Sequence, residues 1–230
     1  FNALWQEYGS FASALTRNMS TEILAGRSEV IVPKREAEAL AARGDRVIVW
    51  SLQEEGAPKT VEMGGVELRG IDIPRYRGGK AAAYVRSYGR FFAQAQLALS
   101  AAHFRERFDL VHVHTMPDFM LAVGAIPRLT GAKLILDMHD LMPELYALKF
   151  GLTRGGLAER ALRLTQRAAT TLADRVIAVH RPQYELLLDS GVPARKLTIV
   201  MNAADPEVFP TRKKEPRLKE GAPIRVVYHG

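Results

Sequence analysis

Short apolar runs rich in Val, Ile and Leu recur along this chain: RVIVWSL at 46–52, LVHVH at 110–114, KLILDM at 133–138, RVIAV at 175–179 and LTIVM at 197–201. Segments with helical spacing separate them. Runs this short and this continuously apolar read as parallel strands buried on both faces, because a half-buried strand would alternate apolar and polar residues. Strands and helices that alternate throughout predict an α/β doubly wound sheet.

The helical segments carry their own stop signals. PKREAEALAARG at 33–44 is a strong helix, with Pro33 in its first turn and Gly44 past its end. Helices are also expected over 81–107, 118–129, 155–173 and 182–190, the last closed by Gly191. Residues 61–73 alternate around Gly64-Gly65, which predicts a hairpin or two short strands. Residues 1–28 have mixed polarity and weak periodicity. Residues 210–223 are rich in Lys, Arg, Glu and Pro without periodicity and read as a linker. A fresh apolar strand, IRVVY at 224–228, follows it. The expected organisation is a first domain over 1–210, a linker over 211–223 and the first strand of a second domain over 224–230, in a chain that is a piece of a longer protein.

In an open α/β sheet, ligands bind beyond the carboxyl ends of the strands. Residues 108–144, FDLVHVHTMPDFMLAVGAIPRLTGAKLILDMHDLMPE, therefore stand out: two predicted strands each end in a histidine-bearing polar tip. His112 and His114 alternate on one strand and face the same side. A metal pair is one reading, but spacing fixes no third ligand, and neutral His also packs at strand ends. His114, at the tip, suits a hydrogen-bond or acid–base group toward a substrate hydroxyl. Asp137-Met138-His139-Asp140 sets a histidine beside two carboxylates at the next strand end, as a cleft lining or a metal site. Glu144, just after Pro143, is either a substrate contact or a first-turn charge stabilised by the helix dipole. Asn202 and Asp205 follow a strand directly, so they cap a turn or face the ligand rim. No P-loop, GxGxxG or Ser-His-Asp pattern is present.

The net charge of +7 is uneven. Arg69, Arg75, Arg77, Lys80, Arg86 and Arg90 face a single acid, Asp72, across 69–90. Such a cluster invites nucleotides, phosphates or anionic lipid headgroups. Tyr84, Tyr88, Phe91 and Phe92 lie among these cations. Rings beside arginines suit a membrane interface, with Arg75, Arg77, Lys80, Arg86 and Arg90 on lipid phosphates; the alternative is a helix with its aromatics in the core. No recognised nucleic-acid motif accompanies the patch, so no nucleic-acid partner is expected. The chain has no cysteine, which excludes disulfides, thiolate metal sites and cysteine nucleophiles and fits a reducing compartment. No apolar run approaches the roughly 20 residues that span a bilayer.

Together, REAEALAARG at 35–44, FDLVHVHTMPDF at 108–119, GAKLILDMHDLMPELY at 131–146, ADRVIAV at 173–179, GVPARKLTIVMNAADPEVF at 191–209 and IRVVYHG at 224–230 resemble the amino-terminal half of a GT-B glycosyltransferase of the family 4 type. The resemblance implies two Rossmann-like domains across a cleft, the first receiving the acceptor and the second holding the donor. It implies retaining transfer of a sugar from a nucleoside-diphosphate sugar, a co-substrate, to a carbohydrate or lipid-linked acceptor. No other cofactor and no metal are expected. His114 resembles the family histidine that reaches the reacting sugar, and His139 and Asp140 the cleft-lining pair, so these three are the expected catalytic residues. His112, Glu144, Asn202, Asp205 and Gly230 are the expected substrate contacts, Gly230 resembling the glycine that opens the donor-side loop. Thr21–Leu24 with Ala25-Gly26-Arg27-Ser28 departs from the family's clear first strand and small-residue loop. The resemblance implies that most donor contacts belong to a second domain of which only the first strand is expected here, so this stretch alone is expected to turn over negligibly. The expected location is the cytoplasm, with peripheral attachment to the inner face of the membrane. A non-catalytic binding subunit needing a partner chain and a GT-B-like sugar epimerase are the alternatives.

Overall fold

A computed structural model describes residues 19–23, 31–53, 58–72, 81–115 and 117–201. Its centre is an eight-stranded sheet: β1 (Met19–Ile23), β2 (Arg46–Leu52), β3 (Thr60–Met63), β4 (Val66–Ile71), β5 (Leu110–Thr115), β6 (Lys133–Met138), β7 (Arg175–Ala178) and β8 (Leu197–Ile199). The spatial order is β3-β4-β2-β1-β5-β6-β7-β8. Every neighbouring pair is parallel except β3 and β4, the hairpin expected from Gly64-Gly65. Both of those glycines have positive φ, +59° and +77°, which a tight two-residue turn requires at both central positions.

The helices are α1 (Ile31–Ala41), α2 (Ala81–Glu106), α3 (Ala125–Leu129), α4 (Met142–Phe150), α5 (Leu157–Leu172) and α6 (Arg181–Asp189), with 3-10 turns at Asp118–Gly124 and Ala194–Lys196. The predicted strands at 46–52 and 133–138 match in full, and the predicted helices match to within a few residues, with one exception. The segment 118–129 is not one α-helix. Its first seven residues form a 3-10 turn, and α3 starts only at Ala125. Pro127 explains the break: inside a continuous helix it would remove a hydrogen bond and clash with the carbonyl four residues earlier. In the first turn of a new helix it does neither.

Parallel strands joined by right-handed crossovers place their helices on one face when the sheet grows in one direction and on the other when it grows back. The chain runs from β1 to β2 and β4, then returns to β5 beside β1 and continues outward. α1 accordingly lies on one face, where Ala37 and Leu40 pack on Val47, Val49 and Val66. The other face carries the main core. Phe91, Ala95 and Leu99 of α2, Met120 and Leu121 of the 3-10 turn, and Ala169 of α5 cover Val111, Val113, Leu134, Leu136 and Val176. Phe91 is buried, and Phe92 packs edge-on against Phe119 at 5.7 Å, while Arg86 and Arg90 are exposed. Those two rings therefore belong to the core, and the basic face of α2 stands apart from them. Arg69 is taken up internally: it donates to Glu67 and Glu106, each at 2.7 Å, with its guanidinium 5.3 Å from the Trp50 ring.

Candidate functional site

The order of the strands locates the site. The direction of winding reverses between β1 and β5, which opens a crevice beyond their carboxyl ends. The polar tips of β5 and β6 lie there, with His114 in register with Asp137. Alternation sorts the side chains: on β5, Leu110, His112 and His114 face the α1 side, while Val111 and Val113 enter the main core. On β6, Ile135 and Asp137 share that α1 side.

Five groups converge. His114 Nδ1 is 3.0 Å from Asp137 Oδ2, so the ring carries its proton on Nδ1 and donates to the carboxylate. His114 Nε2 is then directed toward Glu36 Oε2, 3.8 Å away on α1. His112 stacks on His114 with ring centroids 4.2 Å apart and planes 29° apart. Its Nδ1 lies 4.0 Å from Glu36 Oε2 and its Nε2 lies 3.9 Å from Asp137 Oδ2. His139 completes the group from the loop after β6, its Nε2 3.3 Å from His114 Nδ1 and 3.7 Å from Asp137 Oδ2. Burial works against the charge of Asp137. The hydrogen bond from His114 and the nearby imidazoles outweigh it and hold the carboxyl below its usual range.

Exposure divides this group in two. Glu36, His112, His114 and Asp137 are buried, His114 completely. His139 is partly open, at 16% for its side chain, and Asp140 is exposed. His114, expected to reach a sugar itself, thus sits one layer beneath the accessible surface, behind His139. The α6 start supports this rim. Gln183 donates to the Met138 carbonyl at 2.7 Å and accepts from Val179 N–H at 2.7 Å, while His180 Nδ1 caps the helix by accepting from Gln183 N–H.

Glu144 stands apart. It lies in the first turn of α4 and accepts from Arg163 of α5 at 3.3 Å. Asn202, Asp205, Gly230, Arg75, Arg77 and Lys80 lie outside the described residues, as do the loop 25–28, the linker 211–223 and the strand 224–228. The expected site omitted Glu36 and named Asp137 only within the run Asp137-Met138-His139-Asp140. Glu36 had a signal: it occurs one helical turn before Leu40, on the stripe that α1 turns to the sheet. Asp137 had one too, since it precedes His139 by two and shares the face of His114 only once β5 and β6 pair.

The model of the glycosyl transferase 4-like domain matches residues 32–203. No curated protein matches the chain significantly in sequence. Among solved structures, sucrose-phosphate synthase from Thermosynechococcus elongatus superposes with a TM-score of 0.61 at 18% identity, over 84% of this chain and 50% of that one. The glycotransferase of kitacinnamycin gives 0.55 at 15% identity, over 87% and 56%. HepE from Anabaena, solved in complex with UDP-glucose, gives 0.52 at 16% identity, over 85% and 46%. The chain thus spans about half the length of these structures, and at such identities the likeness establishes the fold, that of the N-terminal Rossmann-like domain of a GT-B protein. With three quarters of its residues matched by the family model, the chain belongs to the glycosyl transferase 4-like domain family.

Proposed function

We propose that the chain is the acceptor-side half of a retaining glycosyltransferase, which moves a sugar from a nucleoside-diphosphate sugar to a carbohydrate or lipid-linked acceptor. The observation that carries this reading is the imidazole–carboxylate cluster at the switch point: Asp137 Oδ2 holds His114 Nδ1 at 3.0 Å and lies 3.7 Å from Nε2 of His139, and His139 meets the crevice. A buried carboxylate that fixes an imidazole tautomer prepares the next group for proton transfer or for a hydrogen bond to a hydroxyl. Here the group offered outward is His139, with Asp140 beside it. In the transfer, the bond from the anomeric carbon to the diphosphate breaks and a bond to an acceptor oxygen forms. The acceptor proton leaves with the diphosphate or through the rim. The negative charge growing on the diphosphate needs oriented donors opposite this wall, so turnover requires the donor-side half as well. The UDP-glucose complex of HepE supports UDP-sugars as the first donors to try.

The test uses the intact protein with a panel of nucleoside-diphosphate sugars and glycan or lipid-linked acceptors, reading nucleoside diphosphate release and the product anomer by NMR. Release that depends on acceptor, with the donor's anomeric configuration kept, is expected. His139→Ala and Asp140→Asn should each lower kcat by about 100-fold. Inversion would refute the retaining mechanism. A reducing-sugar epimer formed without acceptor would replace transfer with epimerisation, and absence of release with every donor would leave the binding-subunit reading.

A further inference from the structure

We propose that Glu36, His112, His114 and Asp137 form a binding site for one divalent first-row transition cation of the zinc type. A His-x-His pair on one strand face offers two imidazoles but no third donor. Folding adds two carboxylates from other elements, Glu36 from α1 and Asp137 from β6. One donor atom from each of the four residues lies within 4.8 Å of the other three. Four ligands about 2.0–2.1 Å from a tetrahedral zinc ion stand about 3.4 Å from one another. Glu36 Oε2 lies 3.8 Å from His114 Nε2 and 4.0 Å from His112 Nδ1, each somewhat beyond that value. Shifts of under about 1 Å per side chain, by this geometry, close the shell around an ion.

The chemistry of the donors selects the ion. Imidazole nitrogen favours Zn²⁺, Co²⁺, Ni²⁺ or Fe²⁺ over Mg²⁺ and Ca²⁺, which take oxygen shells. Two carboxylates and two neutral imidazoles around a divalent ion make an electrically neutral unit, which suits a site so thoroughly withdrawn from water. The ligands are also held in place. Three of them stand on paired strands and the fourth on α1, which packs against β2 and β4 of the same sheet. His114 is oriented by its Nδ1 bond to Asp137, so that Nε2 points toward Glu36 and the space it shares with His112 Nδ1. His139 is the member of the cluster that meets solvent, and it marks the path of entry. The site does not depend on sugar transfer, although the two share His114 and Asp137.

The test uses the intact protein, stripped with chelator and titrated with Co²⁺ and then Zn²⁺. One Co²⁺ per chain is expected, with the visible absorption of a four-coordinate ion and stoichiometric displacement by Zn²⁺. X-ray absorption at the cobalt edge should show two imidazoles in the shell. Glu36→Gln and His112→Asn, checked for folding by circular dichroism, should each weaken Co²⁺ binding by at least about 10-fold. Mg²⁺ should not compete. Absence of stoichiometric uptake by the wild-type protein would overturn the proposal. So would a shell without two imidazoles, a result that needs no variant, or affinity unchanged in both folded variants. These readouts involve no sugar, so they can fail while the transferase reading stands, and the reverse.

Discussion

Asp174 shows how one side chain holds two elements. At the foot of β7 it accepts from Leu134 N–H of β6 at 2.9 Å and from the Arg128 guanidinium of α3. Partial burial raises its pKa, but these two donors and the charges of Arg128 and Lys133 lower it further, so its carboxyl titrates below the usual range. A carboxyl more acidic in the folded than in the unfolded state contributes stability that is present above its unfolded pKa. That contribution is lost as pH falls through the folded value. Asp174→Asn should therefore cost about 1 kcal/mol at neutral pH and less as the pH drops into the carboxylate range, measured by urea unfolding. His103 works in the same structural vein. Its Nδ1 accepts from Phe108 N–H at 3.0 Å, so Nε2 carries the proton and donates to Thr130 Oγ1 at 2.6 Å. In this way a histidine closes the end of α2, where Arg107 turns with φ +56°. Neither role was legible beforehand, because each depends on a partner 27 to 46 residues away.

Among elements, the 3-10 turn at Asp118–Gly124 bears most on the site, because it follows β5 directly and packs against both α2 and α5. Gly124 meets β6 closely: a Cβ there would fall 2.5 Å from Leu134 Cδ2 and 3.4 Å from Val111 Cγ1. Gly124→Ala should destabilise the protein by about 1–3 kcal/mol through this overlap. Combining it with Leu134→Ala should cost less than the sum of the two single changes, because the shortened side chain makes room. Additive costs in denaturant titrations would rule out that contact as the cause. Helix positions were legible from caps and periodicity, and the hairpin from its glycine pair. The 3-10 form was announced by Pro127 and outweighed by the apolar spacing around it. β1 was the hardest element to foresee. MSTEI carries three polar residues in five, yet it pairs on both sides, with β2 and β5, in the middle of the sheet. Its place follows from the neighbours that need a strand between them, not from its own composition.

For the molecule as a whole, Arg86 and Arg90 part company with their neighbouring rings. Phe91 and Phe92 pack inward while Arg86 and Arg90 remain exposed, so these cations offer charge without those two rings. Among the described residues, no helix is long and apolar enough to cross a membrane. Co-sedimentation with vesicles containing anionic lipid, abolished in high salt and absent with neutral vesicles, is the expected behaviour. Binding that survives high salt would mean apolar insertion and contradict this account. The α/β class, the rim on which chemistry gathers and the importance of β5 and β6 could be read from the chain directly. Backbone periodicity and strand burial are local properties, written in neighbouring residues. The site could not be read so fully. Glu36, 76 residues before His112, joins it only because the sheet winds outward from β1 and places α1 on the histidine face. Asp137 joins it through the register of two strands. That same packing buries His114 and leaves His139 at the surface, because depth within a sheet is set by what folds over it and no single segment encodes that.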